Sequence, residues 1–163
     1  MKNGKHGELD VSELSLNDQQ YLKGWATNPP KRPDHVPEGA YFQSGKWFLV
    51  VTEKLTWKDA ERKARKMKGQ LAKFESKLEI ELLENLAIQK NYFWIGATDE
   101  DEEGVWKWSD GTPVRTSHWD GGQPSNDGKR EHFASVRPGR KWNDSREDSP
   151  SITGFIVQRE HRK

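Results

Sequence analysis

Residues 93–113 read FWIGATDEDEEGVWKWSDGTP. FWIGA, at 93–97, is a short apolar run that predicts a strand. The acidic run Asp99 to Glu103 follows, either a solvated turn or a source of metal ligands. VWKWSDG, at 105–111, sets Trp106 and Trp108 against Val105, Lys107 and Ser109. That is the two-residue period of a strand, and it stops at Asp110–Gly111, a turn pair. Trp94, Trp106 and Trp108 read as core.

The whole chain matches this local pattern. Hydrophobic residues make up 31% of its 163 positions and charged residues 33%, but 8 Trp, 6 Phe and 3 Tyr are present. Each buried aromatic removes roughly 150–250 Å² from water, so a few replace many aliphatics. The 27 basic and 26 acidic side chains leave +1, so the chain does not repel itself. That balance also argues against nucleic acid bound by phosphate neutralisation. No apolar run approaches the ~20 residues of a membrane span, so membrane insertion is not expected. The first ten residues lack an apolar h-region, so no signal peptide is expected on this stretch. The absence of Cys excludes disulfides, thiolate metal sites and Cys nucleophiles.

Upstream, AYFQSGKWFLVV (40–51) predicts two strand pieces around Ser44–Gly45. Thr56 caps a helix with an inner stripe of Trp57, Ala60, Ala64 and Met67, and its basic positions read as a solvated outer face. Ser76 and Glu79 form a capping box for a second helix, with the stripe Ile80, Leu83, Leu86 and Ala87. Residues 1–27, with a short strand in GELDVSEL and a helix opened by Ser15 and Asp18, read as the tail of an upstream module or an N-terminal arm. Residues 28–40 hold four Pro and read as an extended linker. The folded domain is expected over 41–163.

Downstream, HFASV, KWND and GFIVQRE predict short strands around a long, Gly-rich polar loop between Asp110 and Lys141. Long loops of this kind are uncommon unless functional or disordered. Two helices followed by strands and one polar loop give an α+β fold. With WIG at 94–96, His118–Trp119, QPS at 123–125, WND at 142–144 and GFIV at 154–157, the region from Tyr41 to Glu160 resembles a C-type lectin-like domain, in a cysteine-free, bacterial-type form.

That resemblance implies two helices packed on short antiparallel sheets, and a site for Ca²⁺ and sugar. Gln123 and Ser125 stand in the first and third positions of the family's EPN-type motif. Glu131, Asn143 and Asp144 follow at the family's spacing. These five residues are the implied metal and ligand-binding set. Their chemistry suits the ion, because Ca²⁺ takes about six to eight oxygen ligands from carboxylates, amides and hydroxyls. Gln and Asn can also give an NH₂ to a sugar hydroxyl. The form with Gln first is associated in the family with galactose-type ligands. Ser125 departs from the usual Asn or Asp, and Asn126 or Asp127 could substitute for it. The resemblance also implies a second candidate metal site at Asp99, Glu103 and Asn126, with His132 where Asp is common.

The family's two disulfides would join the positions of Ala64 with Val157 and of Phe133 with Glu147. Ala64 and Val157 could pack where a bridge would lie; Phe133 and Glu147 do not suggest a packed replacement. The expected function is calcium-dependent binding of a carbohydrate or glycoconjugate. The alternative is a calcium-independent protein-interaction or adhesion domain with a protein partner. No enzyme is expected: His118 and His132 lack a nucleophile at motif spacing, and calcium ligation explains Glu131 and Asp144 better than a glycosidase pair does. Placement at the cell surface, secreted or in the periplasm, within a larger protein, is favoured over the cytoplasm.

Overall fold

The computed structural model describes residues 31–82, 91–115, 117–137 and 141–161. The readings over 1–27, and Leu83, Leu86 and Ala87 of the second helix, lie outside the described residues.

Among the described residues the first strands are β1 (Tyr41–Gln43) and β2 (Lys46–Val51), a hairpin turned at Ser44–Gly45. Helix α1 (Trp57–Lys66) follows, capped by Thr56, whose side chain accepts the Asp59 N–H. Asp59 in its first turn and Lys63, Arg65 and Lys66 in its last suit the helix dipole. Next come β3 (Gln70–Leu71), α2 (Lys77–Leu82), β4 (Tyr92–Thr98) and β5 (Lys107–Trp108). A 3₁₀ turn (Asp127–Lys129), β6 (Phe133–Val136), β7 (Trp142–Ser145) and β8 (Ile152–Glu160) complete the order. The strands run β1-β2-β8-β4-β6-β7, with β3 on β8 and β5 on β4. Pairing is antiparallel except for β4 with β8. No described helix is long and apolar enough to cross a membrane.

The two-residue period of β4 and β8 explains why both sheet faces are buried. Phe93, Ile95, Ala97 and Ile156 join Phe48, Phe74, Trp108 and Trp142 on the α2 side. Trp94, Phe155 and Val157 join Trp57, Ala60, Ala64 and Phe133 on the α1 side. The small residues of α1 let it lie close to the sheet. Glycine is required where backbones cross: a Cβ on Gly154 would stand 2.2 Å from the Val51 carbonyl oxygen, and one on Gly96 2.8 Å from that of Leu71.

Four sequence readings meet specific contacts here. Ala64 and Val157 pack in one cluster, the apolar substitute expected at that bridge position. Phe133, expected to lack a packed replacement, is buried 5.0 Å from Trp57 and 6.5 Å from Trp94, with Lys58 Nζ over its ring. Glu147 is tied there too, its carbonyl accepting the Trp57 N–H. The basic face of α1 is largely neutralised: Lys58 pairs with Glu100, Arg62 with Asp59, Lys63 with Glu53 and Arg65 with Glu61. The described part of the segment expected as an extended linker, 31–40, contains turns. Val36 is buried against Phe42 and Trp47, and Arg159 donates to the His35 carbonyl.

Candidate functional site

The polar loop is fixed at its base by β7. Trp142 donates its N–H to the His118 carbonyl at 2.8 Å, and Asp120 donates to the Trp142 carbonyl at 2.9 Å. Trp119 packs between Trp106 at 4.7 Å and Trp142 at 5.7 Å. Trp142 is fully buried and Trp106 and Trp119 are partly buried, and their edge-to-face contacts hold the start of the loop on the core. The Gln123 N–H then bonds the Asp120 carbonyl across Gly121–Gly122, and the Gln123–Pro124 peptide is cis.

Four of the five principal residues meet in one hydrogen-bonded group. Ser125 donates its N–H to Gln123 Oε1 and to Asp144 Oδ1, each at 3.0 Å, and its hydroxyl to Glu131 Oε2 at 3.1 Å. Asn126 donates its N–H to Asp144 Oδ2 at 2.6 Å, and Asp127 donates its own to Glu131 Oε2 at 2.9 Å. Asp144 is fully buried. A buried carboxylate keeps its charge only when such donors or a cation compensate it.

Asn143, the fifth, is directed elsewhere. Its Nδ2 donates to the Asp144 carbonyl and to Ser145 Oγ at 3.0 Å. Its Oδ1 faces Arg137 Nη1 at 3.5 Å. Neighbours on a strand project to opposite faces, so Asp144 turns to the loop while Asn143 turns to the Ser135–Ser145 side.

The second set is divided. Asp99, Glu103 and His132 place one ligand atom each within 4.8 Å of one another. His132 Nδ1 lies 3.1 Å from Asp99 Oδ1 and 3.4 Å from Glu103 Oε2. Asp99 is buried and also accepts the Gly104 N–H at 2.8 Å, while Glu103 is exposed. Asn126 does not join them; its Oδ1 accepts the Glu131 N–H at 3.4 Å.

Sequence reasoning missed Arg137 and Asp120. Arg137 Nη1 reaches Asp120 Oδ2 at 3.1 Å, and its guanidinium stands 5.7 Å over the Tyr92 ring. The available signal was the hairpin register, because Ser135 pairs with Asn143 and the Arg137 N–H donates to the Lys141 carbonyl.

The donor set fits a hard cation. Gln123 Oε1, Ser125 Oγ and two carboxylates are all oxygen, and Glu131 Oε1 accepts no hydrogen bond among the described residues. This matches calcium rather than a thiophilic metal. The group lies on a loop surface; a groove of about 590 Å³ lined by His35, Lys68, Gln70, Gln158 and Arg159 lies elsewhere, along β3 and β8.

Comparison with known proteins agrees with this architecture. The sequence pattern of the lectin C-type domain matches residues 53–152. The hepatic lectin of Gallus gallus is 33% identical over 106 residues, covering 64% of this chain and 50% of that protein. The chain spans 26% to 50% of the length of the curated relatives it first matches. Among solved structures, the mouse scavenger receptor C-type lectin carbohydrate-recognition domain superposes with a TM-score of 0.73 at 29% identity. The match covers 78% of this chain and 99% of that one. A calcium-independent type II antifreeze protein superposes with a TM-score of 0.67 at 25% identity, covering 77% and 94%.

Proposed function

The chain belongs to the lectin C-type domain family, and on that premise we propose that it is a calcium-dependent carbohydrate-binding module, in a cysteine-free, bacterial-type form. The lectin domains it resembles are carbohydrate-recognition domains rather than enzymes. The observation that carries it is the convergence of Gln123, Ser125, Glu131 and Asp144 in one hydrogen-bonded group of oxygen donors. Glu131 and Asp144 would supply charge to the ion, Gln123 and Ser125 neutral oxygens. Calcium held by these residues would help order the loop and would supply the attraction for two adjacent sugar hydroxyls. Gln123 in the first position favours galactose-type ligands. The second cluster would serve only as a weaker, structural cation site.

The test is thermal melting with Ca²⁺ and with chelator, followed by calorimetry with galactose and mannose. Selective binding to the native state raises the melting point by mass action. The expected result is a calcium-dependent rise that Glu131→Ala largely removes, with galactose binding only when calcium is present. No shift at millimolar Ca²⁺ would sink the calcium part. One observation favours the alternative, a calcium-independent protein-interaction or adhesion domain: Asn143 is engaged away from the loop. Sugar or protein binding unchanged in chelator would establish that alternative.

A further inference from the structure

Asn143 Oδ1 is held by a cation that belongs to the protein itself. Arg137 Nη1 stands 3.5 Å from it while bonding Asp120 Oδ2 at 3.1 Å. The same guanidinium rests over Tyr92. Its position is therefore set by three groups, on β4, on β7 and at the start of the loop. Asp120 is linked in turn to the donor group, since its carbonyl accepts the Gln123 N–H at 2.9 Å. The other end of the Asn143 amide is engaged with Ser145 and the Asp144 carbonyl. An amide oxygen that faces a fixed guanidinium is a poor ligand for a second cation, because both positive charges compete for it.

We propose that Arg137 sets the cation affinity of this site by occupying the Asn143 amide oxygen, which keeps that oxygen from joining the donor group. This rests on the calcium reading above and adds to it a residue outside the donor set. It gives Arg137 a sign opposite to that of a supporting residue: its removal strengthens binding. Withholding one neutral oxygen ligand from the ion corresponds to about a three- to tenfold change in Kd.

The experiment is calorimetric titration of Ca²⁺ into wild type, Arg137→Gln, Arg137→Met and Arg137→Lys, with circular dichroism in chelator as the check on folding. Two neutral variants are used so that one misfolded protein leaves the other to decide. The expected result is tighter calcium binding by about three- to tenfold in the neutral variants, with Lys, which keeps the charge, staying near wild type. A merely structural role would lower the melting point of the variants and leave Kd unchanged or weaker. If wild type binds calcium and the neutral variants bind it equally or less tightly, the role of Arg137 is overturned while the calcium reading stands. If wild type and all variants fail to bind, both fall together.

Discussion

The carboxylate of Asp144 accepts the backbone N–H of Asn126 at 2.6 Å, and its other oxygen takes that of Ser125 at 3.0 Å. One fully buried side chain on β7 thus ties down the tip of the loop through two backbone donors. Asp144→Ala strands both donors and should cost about 1–3 kcal/mol even in chelator. Asp144→Asn keeps one acceptor oxygen and should cost less. Urea denaturation in chelator measures both. A stability for Asp144→Ala equal to wild type would show that the carboxylate does not hold the loop.

Gly154→Ala should be among the most damaging single changes outside the loop. The added Cβ would meet the Val51 carbonyl oxygen at 2.2 Å and the Phe93 ring at 2.7 Å. Both neighbours lie in paired strands, so neither can move without breaking a ladder. Overpacking of a rigid core costs typically 1–3 kcal/mol, and contact with backbone puts this case at about 3 kcal/mol or more. Chemical denaturation should show the loss, with calcium affinity of the folded fraction unchanged.

These two sites also show what could be read in the sequence. FWIGA gave its strand, and VWKW gave one over Lys107–Trp108 alone, because period and aromatic content are local properties. The set Gln123, Ser125, Glu131 and Asp144 is implied by the resemblance to the family's motifs, and these residues meet in one hydrogen-bonded group. Asn143 could not be placed that way. Its motif neighbour Asp144 faces the loop, so alternation turns Asn143 outward, where a residue six positions earlier meets its oxygen. Asn126 was expected with Asp99 and Glu103, but its left-handed backbone, φ 46°, accompanies a side chain turned back to Glu131. Phe133 looked unpacked because its cover, Trp57, comes from a helix 76 residues upstream. Each of these depends on contacts that local pattern does not encode.

Phe133→Ala should therefore behave as a core truncation. The ring lies against Trp57 and Trp94, and the cavity left would be lined by large, rigid neighbours. Removal of a buried Phe costs about 3–5 kcal/mol. Phe133→Leu should recover a large part of this, because it restores volume without the ring contacts. Thermal denaturation of the two variants checks the ordering; near-equal losses would point to the aromatic contacts rather than to volume.

Acid should weaken the domain through Asp110. Burial alone would raise its pKa, but donation from the Thr112 hydroxyl and N–H and the Lys73 ammonium outweigh it, lowering the value from 3.8 to about 2. The folded pKa lies below the unfolded one, so the stabilisation is present above about pH 4 and is lost as pH falls through 2. For Lys73, burial opposes the charge, but Asp110 and Glu75 raise its pKa overall. Its contribution is present below the unfolded pKa and is lost at strongly alkaline pH. Asp110 is exposed and solvent screens its charge, so Asp110→Asn should cost about 1 kcal/mol or less at neutral pH, and the difference from wild type should shrink toward pH 2. Urea midpoints across that range test it; a difference independent of pH would rule out the carboxylate charge as its source.

His132→Asp should separate the two roles open to the Asp99 cluster. The imidazole Nδ1 lies 3.1 Å from Asp99 Oδ1, its hydrogen-bond partner, and 3.4 Å from Glu103 Oε2. Aspartate in its place would bring a third carboxylate to them. Without a cation these like charges repel, and the melting point in chelator should drop below wild type. Calcium prefers oxygen to nitrogen ligands, so the same change should enlarge the calcium-induced rise. The two effects have opposite signs, which a simple packing defect would not produce. Melting curves with and without Ca²⁺ measure both at once. A variant that melts lower in chelator but gains no calcium response would show that Asp99 and Glu103 serve the histidine alone.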